Sequence, residues 1–211
     1  MGTCLCVGKL PSSSILKPLE AIVLSTLQNP SMNSKRPGLL SSLFSPGPQR
    51  LEARTIVRSW SEGQEELAFF DSLNLSSISQ FLDHTAELEG LPGQEEAIEN
   101  SKWKQLPYWM TSIWLPLGTP FGPSVLQIEG EPIFVGSAAG LKQDLNDIAK
   151  LSAHGLGTLP KHYELMRNDP KEFHNLDIES LDETSTLQWI WRVLFDASAL
   201  AIEHQMPAWS G

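Results

Sequence analysis

Residues 125–135 read VLQIEGEPIFV, and this stretch decides the fold class of the chain. Residues 125–128 and 132–135 are rich in β-branched and apolar side chains, which favour strands. Glu129-Gly130-Glu131 between them is typical of a compact hairpin turn. Two strands joined by a tight turn must run antiparallel. Residues 108–117, which are aromatic and β-branched, are expected to join the same sheet.

Further strands and helices are predicted on both sides of this hairpin. Strands are expected at residues 3–7 and 55–60. Helical spacing of apolar residues predicts helices at 15–27, 65–73, 76–88 and 94–104, from Ser137 to a stop at Gly155, and at 181–204. The regular strand–helix alternation of a doubly wound sheet is missing. The sequence therefore predicts an α+β protein, with a mostly antiparallel sheet and helices packed against it.

The C-terminal helix carries an unusually wide apolar surface. Ser180 and Glu183 have the spacing of a capping box at its start. Its apolar arc covers more than half of the circumference, whereas a surface helix needs one apolar face. We expect the helix to be largely buried, wedged between two layers of the fold or between the fold and a second copy. Trp189 and Trp191 should then contact different elements.

Length and composition indicate one domain, residues 1–211, with a Ser/Pro/Gly-rich loop at about residues 30–50. No stretch approaches the roughly 20 apolar residues of a membrane span. We therefore expect a soluble protein. Cys4 and Cys6 are too close for an unstrained disulfide, so we expect reduced thiols and a cytoplasmic location. Two alternatives concern the N-terminus. Gly2 and the nearby cysteines suggest a lipid anchor, although Cys6 replaces the expected Ser or Thr, and the Ser-rich, acid-poor start suggests a transit peptide.

The charge distribution points to a basic protein partner. The formal net charge is −10, and ten carboxylates lie between Arg58 and Lys102 without a single Lys or Arg. Such a surface repels phosphate backbones, which argues against nucleic acid. The alternative is a solvated face that serves solubility. We expect these carboxylates to be mostly exposed, with no metal among them; the partner-binding candidates are Glu62, Glu65, Glu66, Glu95, Glu96 and Glu99.

Residues 134–142, FVGSAAGLK, combine a strand, a small-residue turn and a helix start. Backbone amides in such a turn can cradle an anion. The spacing of Gly136, Gly140 and Lys142, however, matches neither a P-loop nor a dinucleotide fingerprint. We interpret Ser137 as a helix N-cap and expect no cofactor.

One loop-rich region concentrates groups that could carry chemistry: His154, His162, Tyr163, Arg167 and Asp169. Functional groups are commonly presented on loops, although polar loops contain such residues in any case. No His-x-His or His-Glu-x-x-His pattern predicts a metal site. His84 and Glu87, three apart on a predicted helix, are close enough to touch, and a surface pair explains this spacing equally well.

Three functions are compatible with these features. The leading hypothesis is a non-catalytic interaction module, of inhibitor or immunity type, that presents an acidic face to a basic partner. The alternative is a small hydrolase that uses the region 154–174. A lipid-anchored adaptor is the third, and a second copy of the chain is a further candidate partner.

Overall fold

The computed structural model describes residues 2–10, 13–28, 46–62, 66–108, 111–158 and 181–210. Within these ranges lie six strands: β1 (Gly2–Gly8), β2 (Glu66–Asn74), β3 (Ser112–Leu115), β4 (Ser124–Ile128), β5 (Glu131–Ser137) and β6 (Ala208–Ser210). The same ranges contain six α-helices: α1 (Leu16–Gln28), α2 (Pro46–Glu62), α3 (Leu75–Leu88), α4 (Gln94–Asn100), α5 (Ala138–Leu151) and α6 (Glu183–His204).

The strands form one mixed sheet in the order β2-β1-β6-β3-β5-β4. All neighbours are antiparallel except β3 and β5, which confirms the predicted α+β class. The hairpin is confirmed as well, with Leu126 opposite Ile133. Its turn is Glu129-Gly130, and both residues have positive φ (55° and 91°), as a twisted two-residue hairpin turn requires.

Helices cover both faces of the sheet. Along β3 the side chains alternate, so Trp114 enters a core with α3, α5 and α6, while Ile113 and Leu115 enter a core with α1 and α2. All four residues of β3 are buried, as expected of a strand covered on both sides. The result is a three-layer arrangement with α3–α6 on one side.

Two neighbouring predictions are wrong. Residues 55–60 belong to helix α2, not to a strand, and residues 46–50, expected in the loop, begin the same helix. Ala53, Val57 and Trp60 are buried at helical spacing, a stripe that the β-branched run at Thr55 and Ile56 obscured. Residues 29–45 of the expected loop lie outside the described ranges.

The predicted helix at residues 65–73 is strand β2, which pairs antiparallel with β1 so that Thr3 lies opposite Leu73. A strand partner more than sixty residues away leaves no local trace in the sequence. Tertiary pairing therefore decides this segment, not intrinsic propensity.

Helix α6 packs against α3, α5 and one face of the sheet. Its wide apolar arc thus contacts the sheet on one side and the helices α3 and α5 beside it in the same layer. The helix is not inserted between two layers. Trp189 and Trp191 are 1% and 4% exposed. The N-cap is Asp182, whose carboxylate accepts a hydrogen bond from the Ser185 amide at 2.9 Å. Ser180, the predicted cap, lies outside the described residues.

Candidate functional site

An open cleft of about 440 Å³ lies between α3 and the start of α6. We call it the α3–α6 cleft. Its walls are polar throughout: Ser76, Ser79, Gln80, Asp83, His84, Glu87 and Glu183. Of the described residues that line it, three are carboxylates and none is Lys or Arg. A cleft with this lining suits a cationic group.

Helix α3 supplies most of the lining because it is amphipathic. Ser76, Gln80, Asp83 and Glu87 follow helical spacing along one side. Phe81 and Ala86 face the other way and are fully buried in the fold. The core thus fixes the helix rotation that aims these polar side chains into the cleft.

His84 is the least exposed residue of the cleft wall, with 9% of its surface accessible. Its Nε2 lies 2.9 Å from the Ser152 hydroxyl, just after α5. Its ring meets that of His154 edge-to-face, with centroids 4.9 Å apart and planes at 85°. His84 is thus buried against His154 and Ser152, whereas Glu87 on the same helix is exposed.

His154 connects this pair to α6. Its Nδ1 lies 2.8 Å from the Thr184 hydroxyl. Its backbone carbonyl accepts a hydrogen bond from the side-chain amide of Gln188 at 2.7 Å. Because His84 belongs to α3 and Ser152 follows α5, the two rings join three helices. Their mutual position is fixed by hydrogen bonds as well as by packing.

Burial lowers the pKa of His84 below its ordinary value, and the neighbouring His154 lowers it further. Glu87 and Glu183 act in the opposite direction but do not reverse the shift. Its surroundings therefore favour the neutral imidazole, which forms its hydrogen bond with the Ser152 hydroxyl.

The cleft wall continues into α4. The Asp83 carboxylate accepts a hydrogen bond from the Gln94 amide at 3.2 Å, and the Gln94 side chain donates to Ser79 at 2.8 Å. Glu95 and Glu96 follow directly in the first turn of α4 and are exposed. Exposed carboxylates thus adjoin the cleft on this side.

The predicted partner-binding residues are distributed over the fold. Glu95, Glu96 and Glu99 are exposed on α4, beside α3. Glu62 lies on α2, in the other helical layer, where it pairs with Arg58 at 2.7 Å. Glu65 and the side chain of Glu66 lie outside the described part of the structure.

Of the predicted catalytic candidates, the structure places only His154. The others, His162, Tyr163, Arg167 and Asp169, lie outside the described residues. Sequence reasoning missed the partner of His154, because His84 is 70 positions earlier. The local pattern of its helix gives no sign of this tertiary contact. The described residues contain no group of three or more His, Cys, Asp or Glu that could hold a metal ion.

The turn at residues 136–140 is filled by a buried side chain, that of Gln105. The Ser137 amide donates to Gln105 Oε1 at 2.7 Å, and the Gly140 amide donates to the Ser137 hydroxyl at 3.1 Å. A Cβ at Gly136 would clash with Gln105 Oε1. Ser137 is the N-cap of α5, as predicted. Two amides of this turn, those of Ser137 and Gly140, are thus bonded to side chains of the protein itself.

The fold and the cleft define an α+β protein with an acidic, histidine-containing cleft. Comparison with protein-family models, curated proteins and solved structures finds no match to this chain. Of the helices in the described ranges, none is both long and apolar enough to cross a membrane.

Proposed function

We propose that this protein is a non-catalytic binding module that receives a basic segment of a partner protein in the α3–α6 cleft. The observation that carries the proposal is the lining itself: Asp83, Glu87 and Glu183 share one open cleft with no lining Lys or Arg among the described residues. A Lys or Arg side chain entering it would meet three exposed carboxylates in one open cleft, and each would attract its positive charge.

Long-range electrostatics support the same proposal. The net charge of −10 attracts basic molecules from a distance and raises their association rate. The exposed Glu95, Glu96 and Glu99 on α4 extend the negative surface beyond the cleft. We also propose a cytoplasmic location, because the two cysteines favour a reducing compartment.

The binding test compares two triple variants that change the net charge equally. Asp83→Asn/Glu87→Gln/Glu183→Gln neutralises the cleft, and Glu129→Gln/Glu131→Gln/Glu203→Gln neutralises exposed carboxylates elsewhere. Glu203 lies roughly 30 Å from Glu183 along α6. With fluorescent hexa-arginine and hexalysine peptides, we expect the cleft variant to raise Kd about tenfold at low salt and the control about twofold.

Fluorescence anisotropy at low and high salt provides the measurement, and high salt should weaken wild-type binding. An equal loss in both variants would show that net charge alone attracts the peptide. No binding to wild-type protein would refute the proposed function.

A hydrolase is the second candidate, because the Ser152 hydroxyl lies 2.9 Å from His84 Nε2. In that reaction His84 would take the Ser152 proton as the oxygen attacks a carbonyl carbon, then return it to the leaving group. Ser152 does not line the α3–α6 cleft, which ranks this candidate below binding.

A fluorophosphonate probe tests this second candidate directly. A hydrolase should be labelled at Ser152 and lose labelling in Ser152→Ala, with His84→Gln slowing the reaction. Ser59, an exposed serine on α2 whose hydroxyl donates to the Ile56 carbonyl at 2.6 Å, serves as the control position through Ser59→Ala. Absence of labelling in folded wild-type protein would exclude an activated serine at this site.

A further inference from the structure

Two imidazole rings meet at the wall of the α3–α6 cleft. His84 lines the cleft, and the ring of His154 stands edge-to-face against it at 4.9 Å. A hydroxyl group fixes each ring, Ser152 for His84 and Thr184 for His154. The pair therefore stays together, and His84 is the ring that faces the cleft.

The charged groups around His84 come from three parts of the fold. Glu87 lies on α3, as does Asp83, which shares the cleft lining; Glu183 lies on α6, and His154 follows α5. Glu87 and Glu183 favour a protonated imidazole, whereas burial and His154 oppose it. A cation placed among the same carboxylates would oppose protonation further, because like charges in one cleft repel.

We propose that the α3–α6 cleft exchanges a proton for a cation: a basic group that enters it displaces a proton from the His84 imidazole in the cleft wall. This inference rests on the proposed function, since it concerns the same cleft and the same class of ligand. The exchange follows from thermodynamic linkage, because two cations that disfavour each other must each lower the affinity of the other.

Affinity should consequently depend on pH. As pH falls, the His84 imidazole becomes protonated and competes with the ligand for the carboxylates of the cleft. We expect hexa-arginine to bind about fivefold more weakly at about pH 5.5 than at about pH 7.5, a change typical of one partly screened charge.

The test is titration calorimetry of hexa-arginine near pH 6 in two buffers of different ionisation enthalpy, which counts the protons released. Wild-type protein should release a measurable fraction of a proton. His84→Gln, whose amide can still bond to Ser152, should release almost none. His204→Gln removes an exposed histidine at the far end of α6 and should behave as wild type.

The outcomes separate this inference from the one on which it rests. Binding without proton release would overturn the exchange and leave the cleft proposal intact, whereas no binding at any pH would overturn both. Should His84→Gln fail to fold, NMR titration of the wild-type imidazoles gives the same answer: the peptide should lower the pKa of His84. An unchanged His84 pKa in the complex would overturn the exchange.

Discussion

Asp144 on α5 lies in surroundings that disfavour the charged form of its carboxyl group. Burial on α5 raises the pKa of its carboxyl group to about 6, although a hydrogen bond from the Gln105 amide at 2.9 Å works against the shift. Asp147 and Glu89 nearby raise the pKa further. Asp144 is therefore ionised at neutral pH in a place that favours its neutral form.

The sign of the pH effect follows from this shift. A carboxyl whose pKa rises from 3.8 to about 6 on folding binds more protons in the folded state between those values. Its contribution to stability therefore improves as pH falls through about 6 and is complete below about 4.

Asp144→Asn should accordingly raise the free energy of unfolding at pH 8 by on the order of 1–2 kcal/mol, after allowance for partial exposure. The asparagine can still accept the Gln105 amide hydrogen, and the gain should vanish near pH 4. Urea unfolding at both pH values measures this, with the exposed Glu131→Gln as control. Equal effects at the two pH values would contradict the assignment.

Gln105 shows what the sequence conceals at the scale of one residue. Its side chain accepts a hydrogen bond from the Ser137 backbone amide and donates one to the Phe121 carbonyl, both at 2.7 Å. Its backbone carbonyl accepts a hydrogen bond from the Trp114 indole. Positions 136 and 140 accommodate glycine best, because a Cβ at either one would come too close to this side chain. The glycine pattern was visible in the sequence, but its cause lies more than thirty positions upstream.

At the scale of the element, α6 depends on Trp191. The indole is 4% exposed, donates to the Leu145 carbonyl of α5 at 2.7 Å, and stacks on Phe195 with ring centroids 4.8 Å apart. It thus joins α6 to α5 through both packing and a hydrogen bond.

Trp191→Ala should lower the free energy of unfolding by about 3–5 kcal/mol, as expected for a fully buried tryptophan. Leu151→Ala on α5, where the leucine is 54% exposed, should cost less than about 0.5 kcal/mol. Chemical denaturation with sedimentation analysis gives the measurement. A small loss together with a changed sedimentation mass would place Trp191 at a subunit interface.

The elements that the sequence predicted correctly have strong local patterns. Helices α1, α3 and α5 show apolar spacing with caps or breakers, and the β4–β5 hairpin has its turn residues. The α2 and β2 segments were interchanged, because β-branched residues lie in the helix and the strand has no regular alternation. Their identity depends on packing partners that are distant in the chain.

At the scale of the whole molecule, the candidate site was only partly predictable. The acidic character of the surface followed from the sequence, and His154 was singled out. The cleft itself requires α3 to lie beside the start of α6, a contact about a hundred residues apart in the chain. Periodicity describes single elements and cannot report which of them meet.

The central position of β6 in the sheet affects the order in which the strands can pair during synthesis. The strand order places three residues, Ala208–Ser210, between the β2–β1 pair and the β3–β5–β4 group. During synthesis, every other described strand and all of α6 are made before β6. Until then, the facing edges of β1 and β3 lack the strand that pairs with both. The sheet can therefore close only when β6 pairs with both edges, and its pairing with β1 is a long-range contact of the kind associated with slow folding.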